Sequence, residues 1–344
     1  MTTTTPIATH YEQFLHLLTR ETSDAPPGRD APRARYGERV DTAGVPHAIV
    51  MNRDAWILNQ IDLTLALGRL LGEDDVVVSA VPYELSFVGA EMDRVIELVG
   101  ASVISVGTSR TICPMPRLLG LIEQYQVTAL VCAPGFAAEL ASLARTRGQR
   151  PQDSTVRTVV CVGEPCSTER LDRVGAVWAA TTATLYGTPT TPTAAVPCER
   201  GALHLCEQRL RAEVDGHPRG ELFLDGSPTG ELVELRSAGR GCDCGAASRV
   251  LVPLGSMSAA LPGPDAPVSA VDVERIVFRH AGLTPHFACT VQDGAFHVVC
   301  AVAEAESPAG GALRRVIRGE IGDALGVAAE VTVVDAKDWS TATS

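Results

Sequence analysis

Aromatic residues are scarce, at 4% of 344 positions, so a core built mostly from Val, Leu and Ala is expected. No uninterrupted apolar run approaches the ~18–20 residues that a membrane-crossing helix requires, so no spanning helix is expected. Basic patches are missing as well. The 29 Lys and Arg are outnumbered by 41 Asp and Glu, for a net charge of -12, and Arg209, Arg211 and Arg219 are dispersed among acids. Such a surface repels phosphate backbones and anionic lipids, so neither nucleic acid nor a membrane is an expected partner. The opening residues MTTTTPIATHYEQF have neither the basic start nor the apolar centre of a secretory signal, and a cytoplasmic, reducing location is expected. The 10 cysteines then read as thiols rather than disulfides. Cys132, Cys161, Cys289 and Cys300 lie in apolar strand-like runs and read as small core residues.

What is present is an ordinary globular composition, 45% hydrophobic and 20% charged, long enough for one large and one small domain. Residues 10–20 carry Phe14, Leu17 and Leu18 at helical spacing, and 21–35 form a Pro-rich linker. Apolar strands are expected at 75–81, 101–107, 127–134, 155–163 and 183–187. They alternate with helices at 54–71, 89–99, 115–126, 136–147 and 167–178. Asp54 is the expected N-cap or first-turn acid of the first of these helices, and Gly72 its stop. Continuous apolar strands between helices predict βαβ units and a parallel sheet covered on both faces. Ligands of such sheets bind at the carboxyl ends of the strands. Beyond residue 200 the pattern shortens to alternating runs with Gly turns, which predicts an antiparallel β-meander. Residues 255–268 are rich in Gly, Pro and Ser and mark a boundary. The expected fold is α/β: a parallel sheet core with an antiparallel β-meander and a small C-terminal α+β domain. The corresponding divisions are a peripheral segment 1–35, a large domain 36–254 and a small domain 255–344. In the last, a hairpin turns at Asp293-Gly294 between helices at 272–280 and 312–325, and a strand closes at 329–336.

Three signals fall between residues 159 and 244. A strand runs into Gly163-Glu164-Pro165, another into Tyr186-Gly187-Thr188, and Cys198, His204, Cys242 and Cys244 follow as C-x5-H and C-x-C. Three thiolates and an imidazole make a common tetrahedral zinc shell, and a fully protein-ligated site is structural rather than catalytic. Cys206 shares the strand face of His204 and stands as a substitute ligand. Cys166, at an expected helix N-terminus, is a candidate for a lowered pKa and a nucleophilic role; Glu84 is a second candidate reactive group.

The colinear series VPYELSFVGA, VGASVISVG, CAPGFAAELA, VVCVGEPCSTERL, LYGTPTT, GALHLCE, GELVEL and GCDCG resembles the phenylacetate–CoA ligase branch of the adenylate-forming (acyl-CoA synthetase) superfamily, over roughly residues 40–335. The resemblance implies a large nucleotide-binding domain and a small domain that swings over it. It also implies formation of an acyl-adenylate from ATP and a carboxylate, then transfer to CoA. It places Gly163, Glu164, Pro165, Tyr186, Gly187 and Thr188 around the adenine, Tyr83, Phe87 and Phe136 around the carboxylate substrate, and zinc on the Cys/His set. Tyr83, Phe87 and Phe136 read equally as core aromatics.

The sequence departs from that family where the triphosphate would lie. The segment 40–51 (VDTAGVPHAIVM) keeps Thr42, Gly44 and Pro46 but has Val45 in place of the lysine, and it adds Asp41. Thr190 replaces the glutamate that would hold Mg²⁺, a poor exchange for a hard cation. The ribose-binding aspartate is absent, and the catalytic lysine is reduced to Lys337. Each lost group costs ~10²–10³ in rate, which argues against efficient use of ATP and Mg²⁺. Two readings remain. One is a divergent ligase-like enzyme that binds an acyl or aryl carboxylate, its adenylate or its thioester in a biosynthetic pathway. The other is an inactive relative serving as a scaffold or regulatory subunit for a partner protein. The sequence leaves a homodimer open.

Overall fold

The computed structural model describes residues 33–40, 45–216, 218–239, 241–303 and 308–343. The expected helix at 10–20, and Asp41, Thr42 and Gly44, lie outside the described residues. The described chain opens with an antiparallel hairpin, β1 (Arg33–Val40) and β2 (Pro46–Asn52), with Tyr36 opposite Val50. The end of the expected linker is therefore a strand. Gly37 makes its docking possible, because a Cβ there would lie 2.5 Å from the carbonyl oxygen of Leu85. The neighbouring Glu38 N–H donates to that same oxygen (2.9 Å).

Helix α1 (Arg53–Leu67) starts one residue before the expected 54, and Asp54 is its first-turn acid. Its cap is Asn52, whose Oδ1 accepts from the Ala55 N–H (2.7 Å). It ends at Gly68, not Gly72, where the chain turns with Leu67 fully buried.

The central sheet has the order β4-β3-β5-β6-β7 and is parallel throughout. Its strands are β3 (Val76–Ser79), β4 (Ser102–Ser105), β5 (Ala129–Cys132), β6 (Thr158–Cys161) and β7 (Thr181–Thr184). The crossovers are α2 (Val88–Leu98), α3 (Met115–Gln124), α4 (Pro134–Thr146) and α5 (Thr168–Trp178). One face buries Leu130, Val159, Leu140 and Trp178; the other buries Leu63, Leu67, Ile96 and Val160. Both sheet faces are thus covered, which is why the strands read as unbroken apolar runs. Four of the ladders are shorter than those runs, because their last apolar residues leave the sheet to shape the loops at its carboxyl edge; β7 instead starts two residues before the expected 183 and is the threonine-rich segment TTAT.

The meander forms a six-stranded antiparallel sheet, ordered β10-β11-β12-β13-β9-β8. Its strands are β8 (Ala195–Pro197), β9 (Leu203–Leu205), β10 (Ala212–Asp215), β11 (Arg219–Leu224), β12 (Ser227–Arg236) and β13 (Val250–Ser256). The small domain follows directly, with α6 (Ala270–Val277), β14 (Leu283–Gln292), β15 (Ala295–Val302), α7 (Pro308–Leu325) and β16 (Ala329–Asp335). Asp293 (φ 50°) and Gly294 (φ 75°) make the expected hairpin turn, and Phe278, Phe296, Ile317 and Ile321 form a separate core. Among the described residues, no helix is long and apolar enough to cross a membrane.

Candidate functional site

The carboxyl edge of the parallel sheet gathers the loops after β3, β5, β6 and β7. After β3, Leu85 takes a left-handed backbone (φ 55°) although it is not glycine, a strained state of the kind that concentrates at functional sites. Tyr83 is half-buried there. Its hydroxyl donates to Asp93 Oδ1 (2.6 Å) and lies 3.0 Å from Ser79 Oγ. Burial, then Asp93, pushes this phenol up to about 12. After β6, Gly163 (φ 78°) turns the chain, and Glu164 reaches across to the β5 loop, where its Oε2 accepts from the Gly135 N–H (3.2 Å). The Gly163-Glu164-Pro165 turn and the start of α4 therefore form one ledge.

The remaining predicted residues sit at different depths. Phe136, on α4, is half-buried under the Arg110 guanidinium, 4.6 Å from its ring centre. Phe87 is 2% exposed and packs on Ile49 and Met51 beneath the hairpin. Tyr186 leaves β7 to bridge Ala195 and is 8% exposed, with its ring among meander residues such as Leu205 and Leu235. Its hydroxyl is buried without a partner among the described residues, and burial, then Glu231, drives its pKa up. A Cβ on Gly187 would lie 1.9 Å from the Pro192 carbonyl oxygen, so only glycine fits that turn. Thr188 Oγ1 accepts from the Thr191 N–H (3.1 Å) and lies 3.2 Å from Thr190 Oγ1. Glu84 is exposed.

Cys166 corrects an expectation. Its thiol pKa is raised well above the ordinary value, first by burial and then by Glu274. A helix N-terminus lowers a thiol pKa only when the site does not also bury it against a carboxylate.

Two residues that sequence reasoning did not single out dominate the back of the ledge. Arg170 and Glu274 are each 1% exposed. Arg170 Nη1 donates to Glu164 Oε1 (2.5 Å) and Glu274 Oε1 (3.0 Å), and its Nε donates to the Pro285 carbonyl (2.9 Å). Glu274 Oε2 accepts from the Ser167 N–H (2.5 Å). Burial alone would depress the arginine pKa; Glu164 and then Glu274 outweigh it, so the guanidinium stays charged. A signal existed in the sequence: Arg170, Val174 and Trp178 recur at helical spacing on the buried face of α5, and an arginine on an apolar stripe calls for buried partners.

The Cys/His set converges as its spacing implied. The donor atoms of Cys198, His204, Cys242 and Cys244 all lie within 4.8 Å of one another. Cys198 Sγ is 3.5 Å from Cys242 Sγ, and Cys244 Sγ is 3.2 Å from His204 Nε2. Metal–sulfur bonds of ~2.3 Å in a tetrahedral shell put ligand atoms roughly 3.5–3.8 Å apart, so the set fits a metal ion. His204 Nδ1 faces the Ser248 carbonyl (3.0 Å). A carbonyl only accepts, so Nδ1 carries the hydrogen and the Nε2 lone pair faces the thiols. Cys206 is not part of the set. The chain turns after β9, and its thiol packs instead by Asp62 and Arg209, pushed up to about 12 by burial, then Asp62.

Residues 42–218, just over half of the chain, match the family model for AMP-binding enzyme. The chain belongs to the AMP-binding enzyme family. Its fold is similar to that of 2-hydroxyisobutyryl-CoA ligase in the postadenylation state with R3-HIB-AMP, at TM-score 0.74 and 15% identity, covering 88% of this chain and 70% of that one. Against the same ligase in the thioesterification state, with 2-HIB-AMP and CoA, the score is 0.59 at the same identity, over 88% and 71%. A benzoate CoA ligase from Burkholderia xenovorans LB400 scores 0.64 at 15% identity, over 92% and 67%. A comparison with curated protein sequences gives no match.

Within this AMP-binding enzyme fold, the residues at the expected phosphate side are weakly equipped. Val45 is apolar, Thr190 is exposed and neutral, and Lys337 Nζ is paired with Asp335 Oδ2 (3.3 Å).

Proposed function

We propose that the carboxyl edge of the parallel sheet binds an acyl or aryl carboxylate as its adenylate or a related acyl conjugate, in the manner of a divergent phenylacetate–CoA ligase-like protein. The observation that carries this reading is the ledge itself. In a chain of the AMP-binding enzyme family, the Gly163-Glu164-Pro165 turn is fixed to the Gly135 N–H at the strand ends, where ligands of parallel sheets bind. Glu164 is half-buried and already carries two hydrogen bonds, so it serves as a rigid wall rather than as a proton carrier. Nucleotide base, ribose and acyl group would lie along the ledge beside Tyr83 and Thr188. ATP and Mg²⁺ would find little charge compensation at Val45 and Thr190, so activation from ATP is slow and preformed conjugates are the better ligands. The Cys/His set is assigned to a structural zinc.

The same neutral positions favour a second reading, a partner-protein subunit that retains only the binding ledge. Calorimetry with AMP, ATP and a non-hydrolysable benzoyl-adenylate separates the two. The first reading expects the adenylate to bind at least about tenfold more tightly than AMP. No binding of any of the three at millimolar concentration would sink it. Steady pyrophosphate release with a panel of carboxylates would rule out the second.

A further inference from the structure

The small domain meets the large one through buried charge. Glu274 lies on α6 of the small domain, and Glu164 on the ledge of the large domain; the same Arg170 nitrogen bonds both. Around this contact, Arg219 of β11 pairs with Asp272 of α6, and Arg173 Nη2 donates to the Phe278 and His280 carbonyls (3.4 and 3.1 Å). The Arg170 guanidinium also sits over the Phe287 ring, 5.8 Å from its centre.

A buried ion pair is strongly constrained: removing one partner leaves the other desolvated and uncompensated. Arg170 has two carboxylate partners in two domains, and neither can shift without moving it. We infer that Arg170 is a positioning residue that couples docking of the small domain to the shape of the Gly163-Glu164-Pro165 ledge. In this arrangement α6 of the small domain backs the Gly163-Glu164-Pro165 ledge through Arg170. With Glu274 in place, Arg170 is sealed from water and holds Glu164 against the Gly135 N–H. With the Glu274 charge lost, α6 loses its ion pair to Arg170 and docking of the small domain weakens. Water then reaches the arginine, and its pair with Glu164 falls towards the value of an exposed ion pair, so the ledge loosens.

The inference rests on the ledge as the ligand site, but its first test needs no ligand. Glu274→Gln keeps shape and removes charge. Amide hydrogen exchange at Gly135, whose N–H is held by Glu164, is expected to accelerate about tenfold in this variant, within the usual range of coupling between sites. Arg173→Ala removes a docking bond that does not touch Glu164, and it should leave Gly135 exchange at the wild-type rate. Exchange in Glu274→Gln equal to or slower than wild type overturns the coupling. So does equal acceleration in both variants, which would mean general loosening. If Glu274→Gln does not fold, Arg170→Lys, which keeps the charge and loses the fork, is read in the same way. Calorimetry with benzoyl-adenylate is the second readout. Weaker binding by Glu274→Gln and unchanged binding by Arg173→Ala support the inference, and unchanged binding by both counts against it. A wild-type protein that binds no adenylate fails the functional reading alone, because the exchange result still decides the coupling.

Discussion

At the scale of single residues, the structure places its costliest polar groups where the sequence read as plain helix. Glu91 of α2 is 1% exposed, and its nearest bond is a long one from Asn59 Nδ2 (3.4 Å). Glu91 Oε2 and Asn59 Oδ1 are both without partners among the described residues. Burial pushes this carboxyl up to about 7, against smaller opposing effects of Asn59, Arg35 and Arg209. A carboxyl whose folded pKa is raised holds its proton more firmly when folded. Stability therefore falls as the pH rises from about 4.5 to about 7 and stays reduced above that range. Glu91→Gln removes the charge and gives Asn59 Oδ1 a donor. It is expected to stabilise the protein by on the order of 1–3 kcal/mol at pH 8 and by little at pH 4.5. Thermal unfolding of both proteins at the two pH values checks this, and an equal effect at both would refute it. Such a residue is invisible to periodicity. Asn59 and Gln60 occupy buried positions of α1, and a pattern of apolar spacing registers them only as gaps in a stripe.

At the scale of elements, the parallel sheet was legible because four of its five strands lie in short apolar runs between helices; β7, the segment TTAT, does not. The hairpin was not. Arg33–Val40 contains three arginines and a glycine, and what makes it a strand is its partner β2 and the Leu85 carbonyl beneath it, which are tertiary facts. The meander was legible as a class but not as a pairing order: β13 returns to β9, with Val250 opposite His204. That pairing explains why the four metal-type residues meet. Cys198 lies just past β8, His204 is on β9, and Cys242 and Cys244 are in the loop between β12 and β13. A metal bound there would tie that loop to the two short strands at the sheet edge, which have only three residues each. Elemental analysis of the purified protein is expected to give about one zinc per chain. Cys242→Ser should lose it and lower stability, with loss of protection in β8 and β9 but not in β3 or β5. Unchanged stability in a metal-free protein would show that the cluster holds no structural ion.

At the scale of the whole molecule, the question is which part yields first as conditions change, and the two domains give opposite answers to acid. His286 sits at their interface, 2% exposed. Its Nε2 is 3.3 Å from Ser142 Oγ of α4, its Nδ1 is 2.9 Å from Thr284 Oγ1, and the Trp339 ring lies 5.0 Å away. Thr284 spends its own hydrogen on the Ala301 carbonyl (3.0 Å). It can therefore only accept from Nδ1, and Nε2 is left to accept from Ser142. The imidazole is neutral in this arrangement; a second proton would reverse the bond to Ser142 and bury a positive charge at the contact with α4, near Arg170 and Arg145. Burial, then Arg170 and Arg145, lowers its pKa to about 4. For a base with a depressed folded pKa, the unfolded chain binds the extra proton first. Stability is thus lost as the pH falls from about 6.5 towards 4, by up to ~3 kcal/mol. Over nearly the same interval, Glu91 makes the large domain more favourable. Acidification should therefore weaken the interface before it weakens the large domain. Small-angle scattering of the wild-type protein is expected to show the radius of gyration growing between pH 7 and pH 5 while far-ultraviolet dichroism holds. His286→Gln, which cannot be protonated and can still accept from Ser142, should show no such growth. If both proteins expand alike, the histidine does not govern the interface.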